Sequence, residues 1–102
     1  MTSPLMLINS PLLAMSSATE NAGAATMGGT MAGAAGPVTA ILPPGAEDAS
    51  AAAAAAFVAR GAETEAVLAQ LTAIRAMFAE TVGASGVAYT AMDGINEATL
   101  AL

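Results

Sequence analysis

The stretch LPPGAEDASAAAAAAF, residues 42–57, decides the fold. Two prolines in a row end any helix that reaches them, because proline lacks an amide hydrogen and its ring crowds the preceding turn. Gly45 then offers a cap for a new helix. Glu47 and Asp48 place negative charge where the positive end of a helix dipole begins. The alanine run 51–56 follows at once, and no residue favours a helix more than alanine. One helix stops before this stretch and another starts within it, so Pro43 to Gly45 reads as the turn of an αα-hairpin.

Downstream of the turn, residues up to Val82 include no proline and one glycine, Gly61. The larger apolar residues there are Phe57, Val67, Leu68, Leu71, Ile74, Phe78 and Val82. From Leu68 on they step by three and four, and with Phe57 and Val67 they draw one narrow stripe along a helix. Glu63, Glu65, Gln70 and Glu80 lie off it. Arg60 falls within the stripe, so its head must reach out to water or meet an acid. Gly83 and Gly86 weaken this helix without ending it.

Upstream, Leu13, Ser17, Glu20, Ala24, Met27, Met31, Ala34, Val38 and Ile41 recur at the same steps, a heptad seam. Gly23, Gly28, Gly29, Gly33 and Gly36 surround it, each costing roughly 1 kcal/mol relative to alanine. Such small residues permit close approach by another helix, so this first helix is expected to gain much of its order from packing. Pro37 should loosen its last turn. The expected organisation is an all-α hairpin over 1–98, with helix 1 about 10–40, a turn at 42–46, helix 2 about 46–92, and a short tail at 99–102.

Composition limits what the hairpin does. Of 102 residues, 56% are apolar, but 29 of these are alanine, whose side chain buries only a methyl group. At about 25 cal/mol per Å² of apolar surface removed from water, the chain gains little by folding on itself. Two long helices with one thin seam each leave a long surface open. A second hairpin completing a four-helix bundle is the natural solution, against the plainer reading of a self-associating or partly disordered alanine-rich chain.

Cysteine, histidine and lysine are all absent, and Arg60 and Arg75 are the only cations. No thiol nucleophile, imidazole or lysine base exists to activate Ser85 or Thr90 beside Asp93, so the chain reads as non-catalytic. Glu47 and Asp48 belong to a helix start. Glu63 and Glu65, two residues apart, point to different sides and make a poor metal site. No cofactor is expected. A net charge of −6 disfavours nucleic acid and anionic lipid. The apolar start SPLMLINSPLLAM lacks a preceding lysine or arginine and is interrupted by Pro4 and Pro11, so it reads poorly as a cleavable leader.

One pair near the end needs its own account. Tyr89, the only tyrosine, stands four residues before Asp93 in VAYTAMDG. The plain reading is a ring packed at a helix end with a solvated carboxylate nearby. The functional reading is a recognition element, with an apolar anchor and a charge one helical turn apart.

Three segments together resemble the PE family of mycobacteria, proteins secreted by type VII (ESX) systems: GPVTAILPPGAEDAS at 36–50, AAAAAAF at 51–57, and YTAMD at 89–93. The Pro-Glu dipeptide that names the family is missing, since Pro4 and Pro11 are each followed by leucine. The resemblance implies a hairpin that pairs with the two N-terminal helices of a PPE protein as an obligate heterodimer. It also implies an EspG-type chaperone gripping the PPE partner, and delivery to the type VII secretion machinery. In that reading Tyr89 and Asp93 are the YxxxD export signal. The product is secreted or held at the cell surface without a cleavable signal peptide. The partner interface is expected at Leu13, Met27, Met31, Val38, Phe57, Leu68, Leu71, Ile74, Phe78 and Val82. The competing reading is a membrane-associated hairpin that uses its small-residue helix to pack in lipid. Glu20, Glu63, Glu65, Arg75 and Glu80 weigh against it, as does the lack of a basic flank or aromatic belt.

Overall fold

A computed structural model of the chain describes residues 8–101. The first seven residues of the expected hairpin unit, Pro4 among them, and Leu102 of the expected tail lie outside that range. Two helices make up the described chain, α1 at Ser10–Thr39 and α2 at Asp48–Leu100. They lie antiparallel in one layer, an elongated slab of 83 × 27 × 14 Å.

Each boundary has a local cause. Asn9 caps α1, its side-chain oxygen accepting from the Leu12 amide at 3.1 Å, and Pro11 sits in the first turn, where no amide hydrogen is needed. At the far end, Pro37 has no hydrogen to offer the Gly33 carbonyl. The helix stops two residues later, with the Ala40 amide bonded to the Gly36 carbonyl at 2.9 Å. The cap of α2 is Glu47, in extended conformation, rather than the expected Gly45. Glu47 takes this place because its carboxylate accepts the Ser50 hydroxyl while its carbonyl accepts the Ser50 and Ala51 amides at 3.1 and 3.2 Å. The Ser50 hydroxyl, with the backbone amide of Glu47 second, holds the Glu47 carboxyl below its ordinary value of 4.5.

α2 also outruns its expected end near residue 92. It continues through Gly94 and Asn96 to Leu100, because one glycine costs only about 1 kcal/mol and no proline interrupts the run. Its 53 residues span about 80 Å at 1.5 Å per residue.

The helices meet through small side chains. Ala24, Ala54, Ala79 and Gly86 are the buried residues, and Ala79 is fully enclosed. No large side chain is fully buried among the described residues. A methyl group added at Gly61 would collide with the Val38 carbonyl oxygen, and one at Gly86 would lie 3.2 Å from Leu13 Cβ. Here the backbones come close enough that only glycine fits without displacement.

Candidate functional site: an exposed apolar row and the end of the second helix

Along α1 the expected seam faces α2. Leu13, Ser17, Glu20, Met27, Met31, Ala34 and Val38 are half-buried, and Ala24 is buried; Ile41 lies past the helix end and is exposed. Two polar members of the seam are matched across it. The Ser17 hydroxyl donates to the Ala79 carbonyl at 2.7 Å, and Arg75 Nε donates to Glu20 Oε2 at 2.8 Å. The Arg75 guanidinium lies over Gly23 and reaches the Met27 sulfur at 3.5 Å. Glu20 was legible as a seam residue, but its partner was not. In an antiparallel hairpin, residues that meet have numbers of nearly constant sum, and 20 with 75 fits beside 13 with 86 and 38 with 61. That register was the available signal.

On α2 the row that faces α1 differs from the one its large residues draw. The residues turned inward are Ala54, Val58, Gly61, Glu65, Leu68, Thr72, Arg75, Ala79, Val82 and Gly86, again at steps of three and four, with Gly83 beside them. Thr72 satisfies its hydroxyl locally, bonding the Leu68 carbonyl at 2.9 Å. Phe57, Val67, Leu71, Ile74 and Phe78 are exposed instead, Phe57 by 64% and Phe78 by 55%. Period explains the split. A helix holds two heptad rows side by side, and the one made of alanine and glycine lets the backbones approach, while the bulky one cannot.

The ten residues expected at a partner interface therefore divide. Leu13, Met27, Met31, Val38, Leu68 and Val82 are half-buried at the α1–α2 seam. Phe57, Leu71, Ile74 and Phe78 stand on the uncovered row. Arg60 does meet an acid, pairing with Glu63 at 3.2 Å in full view of solvent. Glu63 is thereby engaged on the outer side, while Glu65 is half-buried. No helix among the described residues is long and apolar enough to cross a membrane.

Tyr89 and Asp93 both lie on α2, exposed and one turn apart. The Thr90 hydroxyl between them is tied back to the Gly86 carbonyl at 3.0 Å. They sit where α1 runs out. Gly86 packs against Leu13 and Ser10, and every residue of α2 after it is exposed. Asp93 and Glu97 line one side of an open groove of about 760 Å³, with Ile8, Asn9 and Pro11 on the other.

Comparison with known proteins gives a consistent result. Residues 6–96 match the PE family. The chain is 40% identical over 75 residues to the uncharacterised PE-PGRS family protein PE_PGRS24 of Mycobacterium tuberculosis, in both strain CDC 1551 / Oshkosh and strain ATCC 25618 / H37Rv. That alignment takes in 74% of this chain and spans 12% of the length of the relative.

Proposed function

The chain belongs to the PE family, and on that premise we propose that it acts as the smaller half of a heterodimer with a PPE protein, exported by a type VII secretion system. Its role is non-catalytic. The hairpin contributes two helices, the PPE protein contributes two more, and the resulting four-helix bundle travels folded. An EspG-type chaperone holds the pair through the PPE member before export. Tyr89 and Asp93 are the element read by the secretion machinery, and the product is secreted or retained at the cell surface.

The observation that supports this reading is the exposed row Phe57, Val67, Leu71, Ile74 and Phe78 on a hairpin that fully buries no large side chain among its described residues. Monomeric proteins rarely leave a contiguous apolar strip of this length open. A broad face of 83 by 27 Å is about 2,200 Å². Covering it removes on the order of 2,000–5,000 Å² over both partners, the size of an obligate interface.

The test is co-expression with a PPE protein, comparing the natural chain with Ile74→Glu and Phe78→Glu. Both replacements point into water in the lone hairpin, so its helicity stays within a few per cent. Both bury a carboxylate in the pair, which costs several kcal/mol and prevents a stable 1:1 complex. Tyr89→Ala has the complementary effect: the pair forms, and export stops. Normal pairing of both glutamate variants would defeat the interface assignment. Normal export of Tyr89→Ala would defeat the signal.

A further inference from the structure

We infer that Met27 is a site of reversible oxidation: hydrogen peroxide turns its thioether into the sulfoxide, and Arg75 assists the step and then holds the new oxygen. The inference stands apart from the pairing and export reading above.

The chain has seven methionines and no cysteine, so thioethers are its only sulfur. Met15, Met77 and Met92 are exposed, and an oxygen added to them is solvated where it stands. Met27 and Met31 are placed differently. Both are half-buried at the seam, and both line one open groove of about 230 Å³, with Leu68 and Thr72 of α2 across it. The groove gives a peroxide molecule a path to either sulfur. What separates the two is a neighbour. Arg75 Nη1 donates to the Met27 sulfur at 3.5 Å, while Arg75 Nε donates to Glu20 at 2.8 Å. No other methionine sulfur accepts a hydrogen bond among the described residues.

The step balances between thioether and peroxide alone. A sulfur lone pair attacks one peroxide oxygen, and the O–O bond breaks. Sulfur is oxidised by two electrons and keeps that oxygen; the departing hydroxide takes up its proton and leaves as water. Negative charge develops on the departing oxygen, and a cationic N–H donor fixed beside the sulfur steadies it. A thioether is a weak acceptor, so the existing contact takes little from its nucleophilicity. The sulfoxide is a far better acceptor. Its oxygen, on a sulfur 3.5 Å from Nη1, falls within hydrogen-bond reach of the guanidinium. A polar oxygen at a helix seam ordinarily disrupts packing, but here its donor is already in place. That donor is the group that ties α2 to Glu20 of α1, so the modification acts on the ion pair between the helices.

The experiment exposes the full chain to dilute hydrogen peroxide and follows each methionine by fragment-ion mass spectrometry. Met27 is expected to oxidise at least about threefold faster than Met31, less than an enclosed donor achieves because Arg75 is partly open to solvent. Arg75→Gln removes the cation and brings the two rates to a ratio of about one. Glu20→Gln removes the same ion pair but keeps the donor, so Met27 stays the faster. In Met31→Leu, the Arg75 Nε–H resonance shifts with the time course of Met27 oxidation, while that of Arg60, the other arginine, stays in place. Methionine sulfoxide reductase reverses the shift. Equal rates for Met27 and Met31 in the natural chain overturn the inference, as does a preference for Met27 that survives Arg75→Gln. Loss of the preference in Glu20→Gln as well means that the hairpin has only loosened, which overturns it too. An Arg75 resonance that does not move places the new oxygen in water and overturns the holding role.

Discussion

Replacing Gly61 and Gly29 by alanine in turn tests how closely the two helices approach. Both lie inside helices, so each substitution gains about 1 kcal/mol of helix propensity. They differ in what the new methyl group meets. At Gly29 nothing lies within 4 Å. At Gly61 the methyl would fall on the Val38 carbonyl oxygen and lie 3.2 Å from its carbon, with backbone that has no rotamer to escape into. Ordinary contact is restored only if the helices part locally by roughly 1 Å, and overpacking of this kind costs about 1–3 kcal/mol. Propensity cancels between the two variants, so the difference in stability isolates the collision. For a chain of this size 1 kcal/mol moves the melting midpoint by about 4–8 °C, which separates Gly29→Ala from Gly61→Ala by roughly 4–24 °C. Thermal unfolding followed by circular dichroism at the helix band measures it. Gly29→Ala should melt above the natural chain and Gly61→Ala at or below it. Equal midpoints for the two variants would show that the Val38–Gly61 approach is absent and that the register described above is wrong.

The ion pair between Arg75 and Glu20 is partly open to solvent, so it is worth less than a buried pair. A double-mutant cycle with Glu20→Gln and Arg75→Met should return a coupling of about 0.5–1 kcal/mol, and a value of zero would show that the pair adds nothing to the stability of the hairpin. The Glu47 carboxyl is held below its ordinary value by the Ser50 hydroxyl first and the backbone second. Its contribution to the start of α2 is therefore present above pH 4.5 and is lost as pH falls through the lower folded value. An NMR titration of the Glu47 side chain should show a midpoint below 4.5 that Ser50→Ala moves back toward it.

Much of the hairpin was legible because its signals are local. Pro43, Pro44 and the alanine run fix the turn with no help from tertiary contacts, and the heptad seam of α1 names its own inward face. The inward face of α2 was harder for a physical reason. Hydrophobic pattern singles out large residues, and Phe57, Leu71, Ile74 and Phe78 dominate any such reading. Close backbone packing instead selects small ones, so Ala54, Gly61, Ala79 and Gly86 occupy the seam. Tyr89 and Asp93 were visible as a spacing, but their setting was not. The start of α1 near residue 10 was legible from its cap, but the extension of α2 to Leu100, past the start of α1, was not.

The glycines carry this division one step further. Gly23, Gly61, Gly83 and Gly86 each have a neighbour from the other helix where a methyl group would go: Arg75, Val38, Ser17 and Leu13. Gly28, Gly29, Gly33 and Gly36 have nothing within 4 Å. All four lie in α1, where each gives up about 1 kcal/mol of helix stability that alanine would supply. Nothing among the described residues requires that sacrifice. Under the heterodimer reading an approaching partner helix would, because glycine lets its backbone come nearer than any other residue permits. Gly29→Ala therefore has opposite signs in two assays under the heterodimer reading: it raises the melting midpoint of the lone chain and weakens pairing with the PPE protein. A variant that strengthens the lone chain and leaves pairing untouched would mean that the partner meets the hairpin only along the Phe57–Phe78 row.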